Sequence, residues 1–532
     1  MSKVITAEQA AALIKDGATI GASAITLAGW PEEIAIAIEK RFLETGKPKG
    51  LMAVHASGIG DWGTRGMAHF AHSGLVKRWM GGHCGLAPTF ANMILESKLE
   101  AYCLPQGTIA QLWREIAAKR PGVITKTGLH TFVDPRVEGG KLNSVTKEDY
   151  VKVIEIDGEE WMFYRTFPVD VALIRGSVGD ERGNLTMDLE GGLAECLPLA
   201  QAAKNSGGIV IAQVEYLAQA ESLHPRHVRV PGVLVDYVVV AKPENHWQSA
   251  GTYFNPAFAG DIKVPMEALP DLPLNERLFI ARRAAMELRP NTVVNLGIGI
   301  PDGIPTVAGH EGVADMMTLT TEFGAVGGIP AGGKDFGMDT DAEASVEQQV
   351  QFDWYDGGGI DLTFLSAAEV DREGNVNVSK FGVKLEGPGG FINISQNAKK
   401  VIYCGAMMAG GLKVAGKDGK LVILQEGKKR KFVNKVEQIT FSGKYALMTK
   451  QPVLYVTDRA VFELQDGGLT LIEIAPGIDL QKDVLAVMDF APTISPNLKP
   501  MPSEIFNPTW GKLKQHIESV TEEDVKPEPV LA

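Results

Sequence analysis

Apolar and polar positions along the chain change period repeatedly, predicting helices and strands that take turns. Near the start, Thr6 followed by Gln9 fits a capping box, and AEQAAALIKD is a helical pattern stopped at Gly17. ATIGASAI (18–25) reads as a strand and TLAGWP as a turn, and PEEIAIAIEKRFLE is a helix with Pro31 at its first position. GLMAVHAS (50–57) is the next strand. Strand, helix and strand in that order predict a parallel sheet.

The second half follows the same plan. A helix, NERLFIARRAAMEL (275–288), precedes the strand NTVVNLGI and the turn GIGIPDG; a short apolar strand, Met316 to Thr321, then ends at Glu322. Further on, VDVALIRGSVGDERGNL (169–185) lies over IDLTFLSAAEVDREGNV (360–376) at a constant offset of 191 residues. Asp170 matches Asp361, Asp180 matches Asp371, and Gly183-Asn184 matches Gly374-Asn375. GIVIAQVEYLA (208–218) falls on KVIYCGAMMA (400–409) in nearly the same register. So many ungapped matches indicate an internal duplication.

Pro31 and Asp170 lie 139 positions apart but Pro301 and Asp361 only 60, so the first copy carries roughly 79 extra residues. The expected organisation is a first half over 1–243 with an insert around 79–160, then a Pro- and Gly-rich linker over 244–273. A second half over 274–492 and a Pro-rich polar tail over 493–532 complete it. That tail is expected to be disordered or laid on a neighbouring domain or subunit. The insert segment 107–136 is a candidate substrate wall.

Composition narrows the function classes. A chain of 532 residues is too long for one core, and 45% hydrophobic with 22% charged residues is ordinary for a soluble globular protein. No apolar run is long enough to span a bilayer, and Glu8 and Asp16 stand where a signal peptide needs an apolar core. Cys84, Cys103, Cys196 and Cys404 are scattered without CxxC spacing, which points to the cytoplasm. A net charge of −13 without a basic block argues against nucleic acid. The histidines, His55, His83 and His130 among them, lack metal-ligand spacing.

The richest chemistry lies in DMMTLTTEFGAVGGIPAGG (315–333), where Glu322 ends a strand and five glycines follow: Gly324, Gly327, Gly328, Gly332 and Gly333. A carboxylate facing a glycine-lined hollow is a candidate nucleophile or general base; the plainer reading is a surface acid beside a flexible turn. GIGIP (297–301) after a strand raises a dinucleotide fingerprint, with Glu322 as its ribose acid, but Asp302 occupies the position of the third glycine. EGPGG (386–390) can offer N–H donors to an oxyanion or phosphate, or simply turn between two strands. Lys384, Lys399, Lys400 and Lys413 lie near it and can meet phosphates, while Cys404 in its apolar strand reads as core.

Taken together, Glu322-Phe323-Gly324-Ala325-Val326-Gly327-Gly328, the NLGIGIP run (295–301), the EGPGG turn and the duplicated halves resemble family I CoA-transferases of the single-chain acetate/propionate type. LPQGTIAQLWR (104–114), GVITKTGLHT (122–131) and a closing segment over 461–492 agree, so the likeness runs to about residue 492. It implies an α/β fold of two duplicated NagB/RpiA-like open-sheet domains and an enzyme of the EC 2.8.3 class. Glu322 would be the covalent carrier. Gly297, Gly299, Gly387, Gly389 and Gly390 would serve the oxyanion and CoA, with best bets for oxyanion amides near Gly389 and Gly390. Lys384 and Lys413 would be possible phosphate contacts. Gln106, Gly107 and Phe323 would line the substrate pocket, Phe323 standing where the family pattern leads one to expect a small residue. The likeness further implies coenzyme A as a substrate rather than a resident cofactor, small carboxylates as partners, no metal and no membrane. It also implies a homodimer or homotetramer.

Exchanging CoA between carboxylates has to conserve thioester energy, which a side-chain carboxylate does by covalent, ping-pong catalysis. Two other readings stay open at this stage: an acyl-CoA thioester hydrolase on the same fold, and a ligand-sensing module.

Overall fold

The computed structural model describes residues 2–265 and 272–519. They divide into two compact units, one built from 2–263, 321–356 and 379–393, the other from 264–265, 272–320, 357–378 and 394–519. Two segments of the second sequence repeat, 321–356 and 379–393, therefore fold with the first unit. Residues 266–271 of the expected linker and 520–532 of the expected tail lie outside the described residues.

The first unit is organised by a parallel sheet. Its strands run Tyr237–Val240, Ile209–Ala218, Val171–Asp180, Thr19–Ala22, Leu51–His55, Val76–Gly81 and Glu100–Cys103 in spatial order. Their apolar runs are buried on both faces, as a sheet covered by helices demands. After Thr19–Ala22 the chain steps outward through three strands, then returns to the other side at Val171–Asp180. The order thus reverses between those two strands, where open sheets place ligands at their carboxyl ends. The extra residues of the first copy become strands Val76–Gly81 and Glu100–Cys103, helices Pro88–Leu95 and Gln106–Ala117, and a small antiparallel sheet of Gly122–Thr125, Glu159–Arg165 and Val151–Ile156.

In the second unit the order is Thr318–Thr320, Val293–Leu296, Leu362–Ser366, Lys400–Cys404, Val453–Val456, Ala460–Gln465, Gly468–Ile474 and Thr493–Pro500. The first five are mutually parallel, and the reversal falls between Val293–Leu296 and Leu362–Ser366. The start of the Pro-rich tail is part of this unit's core. Thr493–Pro500 joins the sheet edge in parallel, and Met501, Ile505, Phe506, Leu513 and Ile517 are buried with Phe279 and Leu288. Among the described residues no helix is long and apolar enough to cross a membrane.

Equivalent hydrogen bonds identify the two sheets as copies. Thr19 N–H donates to Asp170 Oδ2 at 2.8 Å in one, and Val293 N–H to Asp361 Oδ2 at 2.8 Å in the other. Thr19 stands opposite Met52, and Val293 opposite Thr318. Four residues beyond each partner the first copy has Ala56 and the second has Glu322. Only one copy carries the carboxylate.

Candidate active site

Glu322 sits two residues past Thr320, the last residue of its strand, in a turn held from several sides. Gly324 N–H donates to the Thr321 carbonyl at 3.1 Å, and Thr321 N–H to that of Ala325 at 3.0 Å. From the helix Gln348–Asp356, Gln351 Nε2 donates to the Thr321 carbonyl at 3.1 Å. Gly324 has φ of 111°, and a Cβ there would lie 1.9 Å from the Val346 carbonyl oxygen, so no other residue fits. Phe323 is buried; its ring covers Gly192 so closely that a Cβ on that glycine would be 2.4 Å from it. Met338 covers Gly191 in the same way. The residues flanking Glu322 are therefore fixed, and Phe323 faces the protein interior.

The Glu322 carboxylate itself has neither a hydrogen bond nor an ion pair among the described residues. It keeps a strip of accessible surface, yet desolvation by the surrounding protein raises its pKa to about 7. An acid that must shed water to ionise, with no cation to compensate, is destabilised as an anion and correspondingly reactive.

The EGPGG turn belongs to the same unit. Gly387 N–H donates to the Ser379 carbonyl at 3.0 Å and Gly389 N–H to that of Gly82 at 2.8 Å, so neither amide is available to a substrate. Gly390 differs: it is buried, and its N–H meets no acceptor among the described residues. Beside it, Gln106 donates its own N–H to the Gly389 carbonyl at 3.0 Å, while its buried Nε2 has no partner. Two unsatisfied buried donors next to one another are rare unless a ligand completes them. The turn leads not into a strand but into the helix Phe391–Asn397.

Gly107, next to Gln106, serves packing. Its N–H donates to Asn393 Oδ1 at 3.1 Å, and a Cβ there would be 2.4 Å from the Phe352 ring. Gly297 and Gly299 are in the second unit, at its strand-order reversal. Gly297 N–H is spent on the Phe364 carbonyl at 2.8 Å, and the Gly299 carbonyl accepts Arg277 Nη2 at 2.7 Å. Ser366 Oγ donates to the Ile298 carbonyl at 2.7 Å, fixing this loop. Lys384 is ion-paired with Glu386, Lys399 with Asp361 and Lys400 with Glu287, while Lys413 is exposed at the start of a strand in the second unit.

His55 and the cysteines are packed into the interior. His55 accepts from Trp79 Nε1 at Nε2 (2.8 Å) and contacts the Ser57 carbonyl through Nδ1 (2.6 Å), a pattern that needs the neutral ring; burial holds its pKa near about 4. All four cysteines are buried, and burial pushes the Cys404 thiol far above its ordinary range. Arg175 pairs with Glu190 at 2.5 Å with both side chains buried, and Glu190 leads directly into Gly191 and Gly192, on which Met338 and Phe323 rest. Neither this support nor Gln351 was visible in the sequence; the only signal was a cluster of glutamines, Gln348, Gln349 and Gln351, on an otherwise ordinary helix.

Comparison with known proteins agrees with this geometry. A family profile described as Coenzyme A transferase matches residues 4–241. A caffeate CoA-transferase of Acetobacterium woodii is 52% identical over 96% of this chain and 99% of its own. The acetate CoA-transferase YdiF of Escherichia coli K12 is 44% identical over 94% and 95%. The solved structure of the E. coli O157:H7 acyl-CoA transferase apoenzyme superposes with a TM-score of 0.90, covering 96% of this chain and 97% of that one at 44% identity. With such identity across nearly its whole length, the chain belongs to the Coenzyme A transferase family and is an enzyme of the CoA-transferase class, EC 2.8.3.

Proposed function

We propose that the chain moves CoA from a short-chain acyl-CoA to an acceptor carboxylate, of the acetate or propionate type, through a glutamyl-CoA thioester on Glu322. The observation that carries this is a desolvated, unpaired carboxylate held in a rigid turn. Glu322 attacks the acyl thioester to give a mixed anhydride and CoA thiolate. The thiolate attacks the glutamyl carbonyl, releasing the first acid and leaving the enzyme thioester. The acceptor acid then runs the sequence backwards. Each attack passes through a tetrahedral oxyanion, for which Gly390 N–H and Gln106 Nε2 are the proposed donors. A structure of the E. coli O157:H7 relative, 42% identical with a TM-score of 0.90, is described as a thioester complex with CoA, which supports the covalent step.

A second reading of the acceptor follows from the 52% identical relative: an aromatic acid of the caffeate type. A panel of acyl-CoA donors against acetate, propionate and caffeate decides between the two. Transfer predicts that the acceptor's CoA ester appears while free thiol stays low; thiol release without a new ester would mean hydrolysis instead. Borohydride treatment after acyl-CoA exposure should reduce residue 322, and an unmodified Glu322 sinks the covalent route. The family's homodimer or homotetramer remains part of the proposal and is read by sedimentation.

A further inference from the structure

Within the first unit, the helix Gln348–Asp356 touches both parts of the proposed site. In its first turn, Gln351 holds the Glu322 turn through the Thr321 carbonyl. One turn before the other end, the Phe352 ring packs on Gly107, the neighbour of Gln106. Asp356 closes the helix five positions after Gln351, about 7.5 Å along the axis at about 1.5 Å per residue.

The Asp356 carboxylate gathers donors from three separate segments. Asn393 Nδ2 donates to its Oδ1 at 2.9 Å and to its Oδ2 at 3.1 Å. Gln111 Nε2 donates to Oδ2 at 2.9 Å, and Thr127 Oγ1 to Oδ1 at 3.4 Å. Asn393 stands three residues after Gly390, and Gln111 shares the helix Gln106–Ala117 with Gln106. The Asn393 Oδ1 also accepts the Gly107 N–H, which closes a ring of bonds around the two donors that have no partner of their own.

Burial raises the Asp356 pKa to about 6, so the group is ionised at pH 8 and its bonds are charge-assisted. A second link between the two helices, Arg114 with Asp353 at 2.5 Å, lies at the surface, where an ion pair contributes little. Donors to an oxyanion have to be held to within about 0.5 Å of the productive geometry. A helix is stiff over so short a length, so the remove of Asp356 from Gln351 sets that of the donors from the Glu322 turn. We propose that Asp356 is a positioning residue for CoA transfer, holding Gln106 and Gly390 in place relative to Glu322 and acting through them. This rests on the transfer reading above and adds to it the residue that fixes its geometry.

The test measures steady-state transfer at pH 8, from acetyl-CoA to propionate, in wild type, Asp356→Asn, Gln106→Ala and the double variant, with melting temperature as the check on folding. Asp356→Asn keeps the side-chain shape but meets the Asn393 and Gln111 amides with an N–H₂ group of its own. Its kcat should fall by about tenfold or more while KM changes by less than about twofold, as misplaced catalytic groups do. In the Gln106→Ala background the same substitution should cost clearly less, because one of the donors it places is already gone. Gln111→Met removes one tether without touching Asp356 and should show a smaller loss of the same kind. Unchanged kcat in Asp356→Asn overturns the proposal, as does a loss carried by KM or losses that multiply in full in the double variant. Should Asp356→Asn fail to fold, unchanged kcat in Gln111→Met overturns it. Full turnover by Glu322→Gln overturns the transfer reading itself, and this proposal with it.

Discussion

Asp180 and Asp371, 191 residues apart in the chain, tie the same turn in the two units. Asp180 accepts the N–H groups of Arg182 and Asn184 and the Asn184 side-chain amide at 2.8 to 2.9 Å. Asp371 accepts those of Glu373 and Asn375 and the Asn375 side chain at 3.0 to 3.1 Å. Each asparagine Oδ1 then accepts from a distant glycine N–H, Gly232 in one unit and Gly443 in the other. Burial pushes both carboxyls up. At Asp180 the donors from Asn184 and Arg182 outweigh it and hold the group below its ordinary value, whereas at Asp371 burial wins.

Replacing Asp371 by alanine strands several buried N–H groups at once, and should cost about 3 kcal/mol. Denaturant unfolding checks this. Asp180→Ala should behave alike, because the bonding pattern is the same.

Substituting Glu322 by glutamine should abolish transfer and still stabilise the protein at high pH. Its folded pKa lies above the unfolded one, so between about 4.5 and 7 the folded state binds the extra proton and stability falls as pH rises. At about 1.36 kcal/mol per pKa unit the penalty reaches roughly 3 kcal/mol at most above pH 7. Glu322→Gln should therefore melt higher than wild type at pH 8, and no higher at pH 4.

On the proposed route the same pKa sets the rate. The nucleophile must be ionised, so kcat/KM should rise about tenfold per pH unit below pH 7 and level off above it. A pH profile with a fixed acyl-CoA donor reads this limb.

Gln106→Ala removes one of the two unsatisfied donors beside Gly390. Transfer should slow by about a hundredfold in kcat with a smaller change in KM, since the oxyanion exists only in the transition state. Equal losses in binding and turnover would count against that assignment.

A methyl group on Gly192 must displace the Phe323 ring. Gly192→Ala should lose about 1–3 kcal/mol of stability, as overpacking does, and should lower kcat because the displaced residue adjoins Glu322. Thermal melting and single-turnover transfer measure the two effects separately.

What the sequence made legible follows from where each constraint is local. The Asp-Asn turns, the capping box at Thr6, realised by reciprocal bonds with Gln9, and Glu322 at a strand end all depend on residues a few positions apart. The availability of Gly390 does not: it emerges only because Gly389 spends its N–H on Gly82, some three hundred residues earlier. Phe323 looked too large for its place because the glycine that receives it, Gly192, lies in another segment. The proline-rich stretch 493–500 looked irregular, yet prolines are tolerated in a strand at a sheet edge, where a missing N–H breaks no ladder. The run after the EGPGG turn, a strand on the alternative reading of that turn, is the helix Phe391–Asn397; a short apolar run has no period of its own.

Ala56 occupies in the first sheet the place that Glu322 holds in the second. A duplicated scaffold that keeps this acid in one copy alone is no longer symmetrical in its chemistry. The copy without it carries instead the two strands and the small antiparallel sheet that follow Ala56 in the chain. On the proposed route both copies then serve one reaction, the second supplying the acid and the growth on the first supplying Gln106.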